Sequence, residues 1–349
     1  IAFLFPMCGA ARLWRSAYGM IGCGAIGRDH IRRLTDIVPG CQVVACADYF
    51  EESANKVAAQ YEGMKAYKTG EELIHAPEVQ AVVITSSDPS HAGYVLEALK
   101  AGKFIFCEKP LAQNAGDCEK IIAAETAHGK RLLQVGFMRR YDRGYAEMKR
   151  IIDSGELGAP LMIHACHRNV SQPDGFQTEM GVSNVAIHEL DICRWLLGDE
   201  YESAQVLKVR QSACSTKGYD NPQIVLLETK SGARIDVEVQ VADAYGYDIQ
   251  CQVVCEKGTV NLPDPYAVVK RANASRSFPI LTDWKDRFIE AYDIELTHWV
   301  KTLEEKGEPD GPSAWDGYAA CVAADALNRS RGTGRFLPVE TMEKPELYR

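Results

Sequence analysis

The sequence predicts an α/β protein in two parts. A doubly wound parallel sheet comes first, followed by an α+β region on a large, mainly antiparallel open sheet. Three observations carry this expectation. Short apolar runs alternate with helical-period segments up to about residue 137. A Gly22-x-Gly24-x-x-Gly27 turn joins the first run to the first helix. Beyond about residue 150, strand-like runs follow one another through hairpin links.

The elements follow in order. Tyr18-Gly19-Met20-Ile21 is a short apolar strand before the glycine turn. The helix after it carries Ile26, His30, Ile31 and Leu34 at helical spacing and stops at Pro39-Gly40. Gln42 to Ala47 is a compact apolar strand ending at Asp48, and residues 51–60, rich in Ala, Glu, Lys and Gln, favour helix. Val79 to Thr85 reads as a buried strand, and 90–100 as a helix closed by Gly102. Lys103 to Cys107 is a strand that delivers Glu108-Lys109-Pro110. Asn114 or Ala115 opens a helix to His128, Gly129 stops it, and Leu132 to Phe137 is a further strand. Strand-like runs then fall at 160–167, 204–213, 222–229, 233–241, 247–255 and 258–262, with Ser231-Gly232 as a hairpin turn. Helices are expected at 184–197, 283–305 and 313–330. The chain therefore divides into 16–137 and 138–349.

Composition narrows the function. The 349 residues hold 39 Lys+Arg against 48 Asp+Glu, a formal net charge of −9 that argues against nucleic acid or an anionic membrane as partner. The hydrophobic fraction of 46% is ordinary for a globular chain. The 12 cysteines form no C-x-x-C pair and no cluster, so they read as reduced, buried thiols, and no metal site is expected. Residues 1–15 are set aside as a leader: the apolar stretch is too short to span a bilayer and no basic residue precedes it. With no targeting signal, a cytoplasmic location is the default.

The glycine turn is the strongest single signal, because its context is complete: strand before, helix after, and an acidic residue 21 positions past the last glycine. Gly22 makes the tight turn, Gly24 lets the backbone approach a pyrophosphate, and Gly27 allows close helix–strand packing. The helix N-terminus offers free N–H groups and a positive dipole end, so local amides can hold an anionic dinucleotide despite the acidic chain. This is a Rossmann-type arrangement. Asp48 ends the second strand, where a carboxylate takes both ribose hydroxyls and repels a 2′-phosphate. Tyr49, Phe50, Glu51 and Glu52 follow it, with no Lys or Arg, so NAD is expected over NADP. The cofactor set is Gly22, Gly24, Ala25, Ile26, Gly27, Asp48, Thr85, Glu108 and Lys109.

Two clusters carry chemistry. Glu108-Lys109-Pro110 stands at the C-terminal end of a parallel strand, the edge where open α/β sheets bind ligands. A Lys there can hold a substrate hydroxyl and stabilise its negative charge, and Pro110 restricts it to extended backbone. On a helix, Asn184, His188 and Asp191 share a face beside the apolar stripe of Ile187, Leu190, Trp195 and Leu196. A His with a carboxylate one turn on, in a cofactor-binding chain, points to proton transfer. Weaker signals are Gly136 to Asp142 and His164 to Asn169, where His167 and Asn169 share a strand face.

Those residues resemble the Gfo/Idh/MocA oxidoreductases, most of all their inositol branch. The matching stretches are Gly22 to Gly27, Phe106 to Ala112, Gln134 to Asp142, Pro160 to His164, His188 to Asp191, Tyr245 to Cys251 and Gly311 to Tyr318, in order over nearly the whole chain. The resemblance implies a Rossmann domain at 16–137. It implies a substrate-binding and oligomerisation domain at 138–349, its C-terminal helix free to pack back on the first, and a homotetramer formed through the open sheet. It implies NAD-dependent oxidation of myo-inositol to 2-keto-myo-inositol. It makes Lys109 and His188 catalytic and Met138, Arg139, His167, Asn169, Asp191, Tyr245 and Tyr247 substrate contacts; Asn184 joins the catalytic set, and with Asp191 is expected to position His188 and neighbouring hydroxyls.

One position departs from the pattern: the inositol enzymes carry Asp four residues before the catalytic His, where this chain has Asn184. Asn can orient the imidazole but not neutralise it, a loss of about one to three powers of ten in rate. Alternatively the pocket prefers scyllo-inositol, another polyol or a pyranose sugar. A non-catalytic NAD-binding sensor is the rival from another class, disfavoured because Lys109 and His188 occur together.

NAD should support activity well above NADP, and Asp48→Ser with an Arg placed nearby should relax the preference. Equal rates with both cofactors in the unaltered chain would contradict this assignment.

Overall fold

The computed structural model describes residues 16–172, 175–213, 215, 219–265 and 268–349, so the leader expected at 1–15 lies outside the described residues. The first part runs β1 (Ser16–Ile21), α1 (Ala25–Arg32), β2 (Cys41–Ala47), α2 (Glu51–Ala58), β3 (Lys65–Tyr67), α3 (Gly70–His75), β4 (Ala81–Ile84), α4 (Asp88–Lys100), β5 (Phe104–Glu108), α5 (Ala115–His128) and β6 (Leu133–Gly136). Its six strands pair in parallel in the order β3-β2-β1-β4-β5-β6. The order reverses between β1 and β4, which opens a crevice at their C-terminal ends. β4, Ala-Val-Val-Ile, is buried at every residue, as a strand covered by helices on both faces must be. Local chemistry sets the helix ends: the Asn114 side chain accepts from Asp117 N–H at the start of α5, and Gly129 takes a left-handed φ of 75° at its end.

The second part begins with a tight turn at Met138–Tyr141, then α6 (Arg143–Asp153), β7 (Pro160–Arg168), α7 (Ile187–Leu197), β8 (Tyr201–Lys208), β9 (Gln223–Thr229), β10 (Arg234–Gln240), β11 (Asp248–Cys255) and β12 (Gly258–Asn261). A small hairpin, β13 (Lys270–Ala272) and β14 (Ser275–Ser277), precedes α8 (Trp284–Lys306), α9 (Ala314–Ser330) and β15 (Leu337–Pro338). The large sheet has the order β12-β11-β7-β10-β9-β8-β15. Only β7 and β10 pair in parallel; the other neighbours are antiparallel. Along β7, Ile163, Ala165 and His167 point to the buried face, alternating with more exposed residues.

The sequence pattern missed five elements: β3, α3, α6, the β13–β14 hairpin and β15. The first two span 3 and 6 residues, too few to show a period. Two expected helices also change form. The helix after the glycine turn ends at Arg32 and passes into a wide π-helical turn, Arg33–Ile37. The helix expected at 184–197 begins as a π-helical turn, Gly181–Ala186, before α7.

Two helices of the second part brace the first. From α8, the fully buried Trp299 packs against Tyr18 and Phe106 with ring centres 5.3 and 5.4 Å away. Arg33 Nε donates to Asp293 at 2.7 Å. α9 lies along α5. Beside it, buried Glu125 of α5 accepts from the N–H groups of Leu132 and Leu133 at 2.6 and 2.7 Å and from the Tyr348 hydroxyl near the C-terminus. Of the ten described cysteines nine are buried.

Glu125→Ala orphans two buried backbone donors and should lower unfolding free energy by about 2–4 kcal/mol, whereas Tyr348→Phe removes one bond, at about 1 kcal/mol. Urea unfolding of the two variants checks the ranking; equal losses would contradict it.

Candidate active site

The glycine turn is built by close approach. Gly22 has a φ of +104°, and a Cβ there would meet the Thr85 carbonyl at 2.6 Å. A Cβ on Gly27 would lie 2.0 Å from the Gly22 carbonyl oxygen. Thr85 Oγ1 donates to that same oxygen at 2.8 Å, tying the end of β4 to the turn. In front of Gly24 there is open space, with nothing within 4 Å of a Cβ. No side chain caps α1, so the amides of Ala25, Ile26 and Gly27 in its first turn are open to an anion. Asp48 accepts from Cys23 N–H at 2.7 Å and Phe50 N–H at 2.9 Å, which aims its carboxylate beside the turn. Its remaining lone pairs suit ribose hydroxyls. An open cradle, free helix amides and a fixed carboxylate fit NAD.

Beyond the turn, a cavity of about 510 Å³ lies between the C-terminal ends of β4 and β5 and the buried face of the large sheet. Glu108 is fixed at its floor: Oε1 accepts from His30 Nε2 of α1 at 2.8 Å. Lys109 faces the cavity, and its Nζ donates to the Asn184 backbone oxygen at 3.2 Å. Burial pulls the Lys109 pKa below the usual lysine value, assisted by Arg139 and opposed by Glu108, Asp88 and Glu189. His188, from the first turn of α7, lines the same cavity, and its Nδ1 has no hydrogen-bond partner among the described residues. Burial first, then the positive charge of Lys109 and Arg139, holds its pKa well below the usual histidine value. The site thus offers a neutral imidazole next to an ammonium.

Four more of the sequence-derived contacts reach this cavity: Met138, His167, Asn169 and Tyr247. His167 Nδ1 donates to Glu189 at 2.8 Å, which leaves Nε2 as an acceptor. Arg139 pairs with the other oxygen of Glu189, and both are almost completely buried. Arg139 and His167 overcome the effect of burial on Glu189 and hold its carboxyl below the usual range.

Other expectations are corrected. Arg139 stands behind His167, paired with the Glu189 carboxylate that His167 also bonds, and does not line the cavity. Asp191 turns away to a bidentate pair with Arg140, because a buried carboxylate needs a cation and the Met138–Tyr141 turn supplies one. The Tyr245 hydroxyl lies in an exposed pair with Arg168 and Asp248. Asn184 does not hold His188: its side-chain amide donates to Asp88 at 2.7 Å, and its backbone oxygen serves Lys109. Asp88, Trp284 and Tyr292 line the cavity without having been expected. Asp88 was findable, since it lies past the C-terminal end of β4 as Lys109 lies past that of β5; Trp284 and Tyr292, on a distant helix, carried no local signal. Among the described residues no His, Cys, Asp and Glu group could hold a metal, and no helix is long and apolar enough to cross a membrane.

Comparison with known proteins agrees with this geometry. Residues 16–137 match the oxidoreductase family described by its NAD-binding Rossmann fold, and 149–341 match that family's C-terminal alpha/beta domain. The chain is 53% identical over 333 residues to inositol 2-dehydrogenase of Ralstonia nicotianae, covering 95% of this chain and 98% of the relative. It is 49% identical over 331 residues to the enzyme of that name from Serratia proteamaculans, with the same coverage. The crystal structure of Lactobacillus casei myo-inositol dehydrogenase with NAD(H) and myo-inositol superposes with a TM-score of 0.93 at 38% identity, over 96% of this chain and 100% of that one.

The two perturbed groups predict a pH profile for kcat/KM. A base that must be neutral keeps working until the pH falls well below 6.5, the ordinary histidine value. An ammonium that must stay charged fails below 10.5, the ordinary lysine value. The profile should therefore be bell-shaped with both limbs displaced downward; an acid limb at or above 6.5 would contradict the assignment of His188.

Proposed function

The chain belongs to the Gfo/Idh/MocA oxidoreductase family, and we propose that it oxidises myo-inositol to 2-keto-myo-inositol with NAD as hydride acceptor. One observation carries the reading: Lys109 and His188 meet on a single cavity that the glycine turn overlooks. The identity of about one half to inositol 2-dehydrogenases, over nearly all of both chains, supports the substrate class.

The chain's own residues divide the work. The first-turn amides of α1 hold the pyrophosphate, and Asp48 takes the ribose hydroxyls. NAD, when bound, supplies the carbon that accepts the hydride. His188 takes the proton of the reacting hydroxyl. Lys109 Nζ hydrogen-bonds the same oxygen and stabilises the charge that develops there. His167 Nε2, Asn169 and Tyr247 offer acceptors and donors to the neighbouring hydroxyls and so orient the ring.

Assembly and location extend this reading. The outward face of the large sheet carries half-exposed Ile224, Leu226 and Val254 among charged residues, a surface suited to pairing with a second copy, and we take the assembly to be a homotetramer. The free thiols of the described cysteines other than Cys41 fit a reducing compartment, the cytoplasm.

A panel of inositol stereoisomers, glucose and xylose, followed by NADH formation, tests the substrate. Myo-inositol should give the highest kcat/KM. A clear preference for scyllo-inositol or a pyranose would overturn the choice of ring while leaving the reaction class. Lys109→Ala and His188→Ala should each cut kcat by about 10²–10⁴ with NAD affinity near that of the parent; full turnover in either would remove it from the mechanism.

A further inference from the structure

Asp88 opens α4 immediately beyond β4 and faces the same cavity as Lys109 and His188. Its Oδ2 accepts from Asn184 Nδ2 at 2.7 Å. The Asn184 backbone oxygen accepts from Lys109 Nζ at 3.2 Å. A short relay thus runs from carboxylate to amide to carbonyl to ammonium, leaving the first sheet, entering the turn before α7, and returning to the end of β5. The Asp88–Asn184 pair also lines a second cavity of about 290 Å³, so it forms the partition between the two spaces.

The other carboxylates near Nζ are Glu108, which opposes burial at Lys109 most strongly, and Glu189, which follows Asp88. Glu108 is bonded by His30, and Glu189 by Arg139 and His167. Asp88 is held by a neutral amide, so its charge is left to act on the cavity. We propose that Asp88 is a positioning residue for Lys109: through Asn184 it fixes the carbonyl that receives Nζ, and its charge keeps the ammonium protonated beside the reacting oxygen. The proposal rests on Lys109 as the group that stabilises that oxygen. It also gives Asn184 a reason. An acid at 184 would place two carboxylates in contact at 2.7 Å, whereas the Asn amide is the donor that Asp88 requires. The acid that the inositol pattern places at 184 stands at 88 instead.

The groups facing Nζ are Glu108 on its own segment, Asp88 on α4, Arg139 in the Met138–Tyr141 turn, and His188 and Glu189 on α7. Asp88 opposes the effect of burial. Removing its charge therefore releases the Lys109 proton at lower pH.

The test uses Asp88→Asn, Asn184→Asp and the combined exchange. Asp88→Asn keeps an oxygen for the Asn184 amide and removes only the charge. It should lower kcat/KM with myo-inositol by about tenfold and move the alkaline limb to lower pH, while NAD affinity, read by NADH fluorescence, stays within about twofold. Asn184→Asp alone should lose more, because two carboxylates then meet. The exchange restores one acid and one amide, and should recover most of kcat/KM and return the limb. The labelling of Lys109 by an amine reagent as a function of pH, read by mass spectrometry on folded protein, follows the same ammonium without turnover. Its midpoint should fall in Asp88→Asn. An unchanged limb and midpoint in that variant, or an exchange no better than either single change, overturns the proposal. If the unaltered protein oxidises no inositol, the substrate reading fails alone and the labelling midpoint still decides the role of Asp88.

Discussion

A half-buried ammonium joins the two halves of this protein. Lys109 leaves the end of β5 and donates to a carbonyl in the turn that opens α7, so one hydrogen bond spans the junction between the parallel sheet and the open sheet. Removing a lysine from water costs several kcal/mol unless acceptors and negative charge replace its hydration. Around Nζ those replacements come from different elements: Glu108 from β5, Asp88 from α4, and Glu189 from α7. The elements must therefore meet where they do for the charge to be tolerated. The cavity is the space left at that meeting.

The same logic fixes α7, and through it His188. Arg139 and Arg140 stand side by side in the turn that links the two sheets. One pairs with Glu189 and the other with Asp191, both on α7. Asp316, in the first turn of α9, is shared between Arg140 and Arg194 at 2.9 and 2.8 Å. Removing one partner of such a buried pair leaves an uncompensated charge, typically about 3–5 kcal/mol. These pairs give no apolar gain, but they define one rotation and one height for the helix. His188 is one residue from Glu189, so its place in the cavity is set by ion pairs behind it.

The parts of the site that were legible in the sequence are those made by the backbone. Gly22, Gly24 and Gly27 announce a turn because only glycine tolerates the positive φ and the close contacts found there, and the strand–turn–helix context follows from apolar periodicity. Glu108-Lys109-Pro110 was readable because the end of a parallel strand is a known ligand edge. Side-chain pairing was not legible. Asp191 and Arg139 look like pocket residues by helical spacing and proximity in the chain, yet each is claimed by a partner that the one-dimensional pattern does not connect. Asn184 lines the cavity with His188, as helical spacing suggests, but its side chain is bonded to Asp88 from another element, a pairing the local pattern does not show. Asp88 was overlooked because a carboxylate in the first turn of a helix is ordinarily explained by the helix dipole alone.

The electrostatics at His188 run opposite to those of the chain. The net charge is −9, and Asp88, Glu108 and Asp283 line the cavity, yet the charges that act on His188 are those of Lys109 and Arg139, and burial holds His167 beside it below the usual histidine value. That bias resolves an apparent difficulty in using His188 as base. Burial and positive neighbours make its imidazole a weak base, and a weak base alone cannot deprotonate an alcohol. In the proposed reaction the ammonium that weakens the imidazole would also stabilise the alkoxide, and so lower the proton affinity of the hydroxyl oxygen as well. Both effects act through one charge, and the proton transfer would be governed by the difference between them. A hydroxyl oxygen bonded to Nζ directly gains more than the imidazole, which feels the charge through space, so the larger stabilisation would fall on the oxygen. On this proposal Lys109 and His188 act as one functional unit, and the carboxylates that keep Lys109 charged belong to it.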